Sequence, residues 1–396
     1  MAFPARLEAA AGSQTGTWTT APEYRIDEPE GADGGFGGFS RLRVDGTGMR
    51  LVVRDMEIVE RNAEIVGATV IWKILVYSPE GAPLVTLKQG DLPGGFGSPT
   101  GIRADMDGFR IRDLDGSLKY SYQDGNLIET VTYPPELRRM TPLDDGGFLT
   151  WGDVPRYDPR RQNPPPREQA VLRLSGVGNQ WKRDTMVVLD IRHSTWFIGI
   201  RGQGSPPSYH VFSVSQPFSD RDLTWFDSRT GGVGVVRRNG AAGSVEVFEV
   251  GAPGDTVWHR RFLVPTVPLA PESAEAAIEK NLSSAATAGE QEGMTRAELR
   301  RMVEDAMYVP RHLLTVAALV ATASGEVWLK TPEVARGQTV WYSVRRGDDG
   351  TPVRRVVLPS TFKLQDAVGD HVWGLSEEPS QPRRVVGLRL VPPLGR

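Results

Sequence analysis

Apolar and polar residues alternate along most of this chain in short runs broken by Gly, Asp and Pro, the period of half-buried strands rather than helices. Two of these stretches match without a gap: residues 34–45, beginning Gly34-Gly35-Phe36-Gly37, and residues 94–105, beginning Gly94-Gly95-Phe96-Gly97. Each runs through a Gly-rich turn, a short strand, an Asp-x-x-Gly turn (Asp45 to Gly48, Asp105 to Gly108) and a second strand. A repeat of this kind predicts one small sheet after another.

The unit recurs with falling fidelity. The first copy predicts strands over 40–44 and 49–54, an insertion over 56–69, then strands over 71–77 and 83–87 around a turn at 78–81. The second predicts strands over 101–105, 109–113, 117–122 and 127–132, with Asp124-Gly125 marking the outer hairpin. In the third, strands over 138–143 and 148–151 precede a Pro- and Arg-rich excursion over 154–167, whose Pro164-Pro165-Pro166 has no place in a central strand. Strands then resume over 170–174 and 185–191, followed by a hairpin over 196–214. The fourth copy reads 223–227, 233–237, 244–250 and 256–264. Helical spacing appears in one region, 271–307, as two short helices joined at 289–293, with Thr295 and Glu298 forming a capping box. A fifth copy follows over 316–358, and a sixth has strands only over 362–366, 371–375 and 384–390.

The sixth copy is one strand short, while 18–26 is a strand with no partners of its own. Pairing the two predicts a single all-β domain over 1–396, a six-bladed β-propeller of four-stranded antiparallel blades. The expected boundaries are 18–26 (closing strand), 36–90, 91–133, 135–221 and 222–266 for blades one to four, 271–308 for a helical insertion, and 310–359 and 360–392 for blades five and six. Seven blades would result if the hairpin over 196–214 were a blade itself.

Composition fits this reading and narrows the chemistry. The 44 Gly and 30 Pro supply turns, and 39% hydrophobic residues suffice for a packed core. A formal charge of −3 carries no basic excess, so nucleic acid is not an expected partner. The absence of Cys excludes disulfides, thiolate metal sites and Cys nucleophiles. The start of the chain has no charged-then-apolar leader, and the longest apolar run, 313–321, is far too short to span a bilayer. A monomer without a membrane-spanning segment is expected, either cytoplasmic or with a leader already removed.

The C-terminal stretches Gly325-Glu-Val-Trp-Leu-Lys330, Val340-Trp-Tyr-Ser-Val-Arg345, Arg355-Val-Val-Leu-Pro359, Gly369-Asp-His-Val-Trp-Gly374 and Arg384-Val-Val-Gly-Leu-Arg-Leu390 resemble the ending of bacterial six-bladed β-propeller proteins of unknown function. The Gly-Gly-Phe and Asp-x-x-Gly elements are similar to degenerate NHL-type repeats of the same NHL-like/TolB-like superfamily. The resemblance covers nearly the whole chain and implies a fold, not an activity. It also implies an extracytoplasmic or periplasmic location, although the lipid-anchoring Cys of many members is missing.

Aligning the copies on their turn positions (Asp45, Asp105, Asp144, Asp227, Thr322, Asp366) puts Ser40, Thr100, Arg139, Asp222, Ala317 and Thr361 at one level, the start of each innermost strand. These residues would line a polar channel mouth, with Arg41, Arg138, Arg221, His312 and Lys363 adding positive charge that favours an anionic or sugar-like ligand. A water-filled polar channel is the plainer expectation. A propeller hydrolase of the lactonase or arylesterase kind would need a divalent cation such as calcium held by six to eight oxygens, whereas the aligned level offers Asp222 alone, with Asp33 and Asp91 on neighbouring loops. No catalytic residue and no resident metal or cofactor is therefore assigned. The Gly-rich segments lead into strands and lack the Lys-Ser/Thr and helix of a phosphate loop, and Trp72, Trp151, Trp225, Trp328, Trp341 and Trp373 fit packing between blades. The excursion and the helical insertion differ from blade to blade, which makes a protein or peptide partner a serious alternative to a small ligand. A non-catalytic ligand- or protein-binding scaffold is the expected function.

Overall fold

In the strand Gly232–Asn239, Val233, Val235 and Val236 are fully buried before the run ends in Arg237 and Arg238. The computed structural model describes residues 17–26, 41–62, 67–90, 96–113, 115–138, 140–153, 166–177, 180–194, 196–201, 209–239, 242–291, 293–346, 353–378 and 383–393. They form two compact units, one of residues 140–317 with 331–333, the other of 17–138, 318–330 and 334–393.

The second unit holds four antiparallel four-stranded sheets. Blade one is Arg41–Val44, Leu51–Asn62, Gly67–Tyr77 and Pro83–Lys88; blade two is Gly101–Ala104, Phe109–Arg112, Gly116–Tyr120 and Leu127–Thr132. Blade five is Ala318–Ala321, Glu326–Ala335, Gln338–Arg345 and Arg354–Pro359. Blade six is Phe362–Val368, His371–Ser376 and Arg384–Val391, completed by the first strand of the chain, Thr19–Ile26, in the register Thr19 opposite Val391 and Ile26 opposite Val385. The expected insertion over 56–69 is instead a lengthening of two paired strands, with Met56 opposite Trp72 and Asn62 opposite Gly67.

Inter-blade packing is apolar. Val52, Ile74 and Val76 of the first copy meet Phe96, Phe109, Ile111 and Tyr120 of the second, so the Phe of the second Gly-Gly-Phe is a core residue. Polar straps join neighbouring blades: the buried Arg54 of blade one donates to the Pro99 carbonyl ahead of blade two at 2.7 Å, and Asp366 of blade six accepts the Val44 amide of blade one at 3.0 Å. Asp45 behaves as expected of a turn aspartate, accepting from the Thr47 hydroxyl and the Met49 amide at 2.9 Å each. Asp366 does not: it lies inside a strand at a bulge, wholly buried, and burial pushes its carboxyl above the usual range against the pull of Arg43 and three backbone amides.

The other unit carries blade three (Thr141–Pro142, Phe148–Trp151, Glu168–Val177, Gln180–Asp190) and blade four (Leu223–Asp227, Gly232–Asn239, Ser244–Ala252, Asp255–Leu263). The hairpin Trp196–Arg201 with Tyr209–Val214 is a separate two-stranded sheet and not a seventh blade. Helix α1, Pro271–Gln291, extends further than the two-short-helix expectation; α2, Arg296–Ala306, starts at the predicted capping box, with Thr295 and Glu298 satisfying each other's backbone amides. Leu282, Ala285, Leu299, Val303 and Ala306 bury one face of this helical pair together with Val214. Polar side chains hold the pair in place. Asn281 bonds the amide, hydroxyl and carbonyl of Ser215, while Gln216 donates to the Ala306 carbonyl and accepts from the Tyr308 amide.

Six four-stranded antiparallel sheets among the described residues, with strands in chain order in five of them and the first strand of the chain completing the sixth, are the blades of a β-propeller. Of the tryptophans expected to pack, Trp328, Trp341 and Trp373 are buried, whereas Trp151 is 44% exposed because it ends a strand at the start of the excursion. No described helix is long and apolar enough to cross a membrane.

Candidate functional site

The polar end of each blade-four strand turns toward one place. Asp222, Arg237, Glu246 and Arg261 belong to the four strand levels of that sheet. Arg237 is the cross-strand partner of Glu246, Glu246 that of Arg261, and Asp222 stands one residue before the pair Leu223 and Val236. All four line a cavity of about 1010 Å³, which blade three completes with Glu168, Leu189 and Asp190, and which the segment after α2 completes with Tyr308, His312 and Leu314. Every lining residue lies in the unit 140–317.

Its electrostatics follow from which charges are already matched. Asp190 is gripped by Arg192, whose Nε lies 2.9 and 2.8 Å from the two carboxylate oxygens; burial works against ionisation, yet this pairing and the Arg192 amide hold Asp190 below the usual range. Asp220 bonds His193 Nδ1 at 2.8 Å, and the His193 ring stacks on Tyr308 at 3.7 Å between centroids. His193 has a φ of 53°, a left-handed conformation uncommon outside glycine, and follows the lining residue Arg192. Burial lifts the Tyr308 phenol above its ordinary value, with the charge of Asp220 adding to it.

Asp222 is 9% exposed and accepts the Asp190 amide at 3.0 Å, but Arg237 Nε approaches only to 3.5 Å. Burial pushes the Asp222 carboxyl up, the amide and Arg237 offset part of this, and the Asp190 charge adds to it. Arg238 points to the opposite side of its strand. It is buried and donates to the carbonyls of Ser219, Arg221 and Val316 with no carboxylate partner among the described residues. Desolvation, reinforced by Arg221, pushes its guanidinium down to about 10.

Of the residues expected at the channel mouth, Asp222 and His312 do meet in this cavity. Ser40 and Arg139, like Asp33 and Asp91, lie outside the described residues. Arg221 and Ala317 lie in the same unit but outside the cavity lining, and the remaining candidates belong to the other unit. Arg41 is exposed opposite Arg54; the Thr100 amide and hydroxyl both donate to the Arg112 carbonyl; Thr361 is half-buried and accepts the Glu377 amide; and exposed Lys363 lies 3.6 Å from Glu377. Arg138 pairs with Asp115 at 3.1 Å. The second Gly-rich turn binds a carboxylate of its own chain, since the amides of Gly97 and Ser98 donate to Asp113, so it is occupied as a blade-linking turn. Among the described residues, no group of three or more metal-ligating side chains comes together.

Asp190, Asp220, Arg237, Arg261 and Tyr308 were not singled out from the sequence. The visible signal was Arg237-Arg238 ending an otherwise apolar strand, together with the spacing Asp220-x-Asp222. The pairing of separate strands that brings them together was not readable.

No protein-family model matches the chain, and no curated protein matches it. Among solved structures, the chain is similar to a "putative exported protein" of Bacteroides fragilis, with 9% identity, 93% of this chain and 99% of that chain covered, and a TM-score of 0.33. It is also similar to the WD40 domain of SCAP from fission yeast, with 8% identity, 95% and 91% covered, and a TM-score of 0.30. At this identity and these scores, neither likeness adds to the reading of the site.

Proposed function

We propose that this β-propeller is a binding module whose small-molecule ligand occupies the cavity beside blade four. The observation that carries the reading is the cavity itself. It is large enough for a metabolite-sized ligand, bordered by strand ends, and lined by charged groups of which only some have an opposite charge bonded to them among the described residues. The NHL-like descent of the first two repeats belongs to the same proposal and is supported by the gap-free match of residues 34–45 with 94–105.

The test is a thermal-shift screen of a metabolite library against the full chain and against Val188→Trp. Val188 lines the cavity and is 44% exposed, so a larger side chain fits there without disturbing the core. Compounds that stabilise the parent and not the variant support the proposal. A screen without such compounds overturns it.

A further inference from the structure

Across the four strands of blade four, the cavity wall carries the order Asp222, Arg237, Glu246, Arg261, alternating in charge. Neighbouring strands are about 4.8 Å apart, so each charge stands beside its opposite and the row looks self-neutralising. The hydrogen bonds say otherwise. Glu246 turns from both arginines to His259, at 2.8 Å from Nε2. Asp222 gives its Oδ2 to the Asp190 amide at 3.0 Å and meets Arg237 only at 3.5 Å, beyond good hydrogen-bond distance. Arg261 donates from Nε to the neutral Ser244 hydroxyl at 3.2 Å. Arg237 is otherwise steadied by the Val188 carbonyl, at 3.5 Å from Nη2, and by the face of Phe248, 5.0 Å from its guanidinium carbon.

Two guanidiniums thus face the same cavity from strands two apart, about 10 Å at the backbone and within side-chain reach of a shared group. Behind them is the buried Arg238, which bonds backbone carbonyls and no described carboxylate, with Asp220 and Asp222 offsetting its charge only from a distance, and around the rim are Arg167 and Arg311. A planar, always-charged fork is the group best suited to oxyanion geometry.

We propose, resting on the cavity reading above, that the ligand is a small organic oxyanion, a carboxylate or phosphate ester, clasped by Arg237 and Arg261, with Asp222 acting as the internal carboxylate that it displaces from Arg237. Phosphate and carboxylate share the chemistry the arginines recognise, and titration separates them.

The experiment is calorimetric titration of the full chain at low salt with inorganic phosphate, glycerol 3-phosphate, succinate and citrate, and with glycerol and glucose as neutral controls. At least one anion is expected to bind while glycerol and glucose do not, with affinity falling as salt rises. Arg237→Gln and Arg261→Gln should each weaken that anion tenfold or more while the circular dichroism spectrum stays that of the folded parent; Arg237→Gln also removes the cation nearest the buried Asp222 and should lower the melting temperature slightly. Asp222→Asn should tighten it severalfold. Preference for glycerol 3-phosphate over the di- and tricarboxylates identifies a phosphate ester, and the reverse a carboxylate. The anion proposal is overturned if none of the four anions binds or if the two glutamine variants bind as the parent does. If the compounds blocked by Val188→Trp are neutral, the cavity reading stands and the anion class alone falls.

Discussion

Glu326 sits 5% exposed in blade five and accepts from four donors: Trp328 Nε1 at 3.1 Å, the Ser343 hydroxyl at 3.2 Å, and Arg345 Nε and Arg354 Nη2 at 2.6 Å each. Replacing it with alanine leaves three buried donors with nothing to replace the carboxylate, because Trp328 and Ser343 are wholly buried and the Arg354 side chain is 12% exposed. Arg354 also lies over the rings of Trp18 and Trp328, and burial lowers its pKa while Glu326 holds it up. Removing one partner of a buried pair costs about 3–5 kcal/mol. Arg345, half exposed, adds less than about 1 kcal/mol. We expect Glu326→Ala to destabilise by about 4 kcal/mol in urea unfolding followed by circular dichroism, and to lower Tm by on the order of 10 °C for a unit of about 200 residues. Arg345→Ala should stay within about 1 kcal/mol. The double change Glu326→Leu with Arg354→Met should recover part of the loss, since an apolar pair leaves no stranded charge. A loss below about 1 kcal/mol for Glu326→Ala would refute the network argument.

A Cβ added at Gly234 would lie 1.9 Å from the Trp225 ring, so Gly234→Ala should destabilise by about 3 kcal/mol, with Trp225→Ala in the same chain relieving part of it; equal loss with and without Trp225 contradicts the clash. Asn281→Ala removes three bonds to Ser215 and should cost about 2–3 kcal/mol, raising hydrogen exchange across 271–306; unchanged exchange there means the helices are held by packing alone. Tyr120, Tyr122, Tyr133 and Tyr308 are all held above their ordinary value chiefly by burial. The folded state therefore keeps protons that the unfolded state releases near pH 10, and stability falls as pH rises beyond that point. Absorbance at 295 nm should show only part of the nine tyrosines ionising before alkaline unfolding, and reversible ionisation of all nine near pH 10 would count against their burial.

Much of the fold was legible in the residue pattern, because a strand with one buried face writes its register into the sequence. Thr19–Ile26 could be assigned to blade six because the count of strands left one place vacant, and Thr295 with Glu298 marked a helix start by local chemistry alone. The expected insertion over 56–69 failed for the opposite reason: a long hairpin with polar residues on its outer part looks like a loop when read by hydrophobicity. Asp366 shows the limit of aligning repeats on one residue type, since a buried carboxylate serving three amides and a turn aspartate are the same letter. Of the residues that line the candidate cavity, Asp222 was named as an aligned repeat position and His312 as a basic neighbour of the channel mouth, whereas Arg237, Arg261 and Asp190 are united by strand pairing and by where the segment after α2 comes to rest. Two arginines at the end of a strand look like a solvated edge until the cross-strand partners are known.

The most direct test of the account is hydrogen exchange by mass spectrometry on the full chain, with and without a ligand that stabilises the parent but not Val188→Trp. The account predicts added protection in 188–192, 220–222, 237–246 and 308–314, with little change in blades one, two, five and six. Protection centred on those four blades, or none at 188–192 and 308–314, would contradict it.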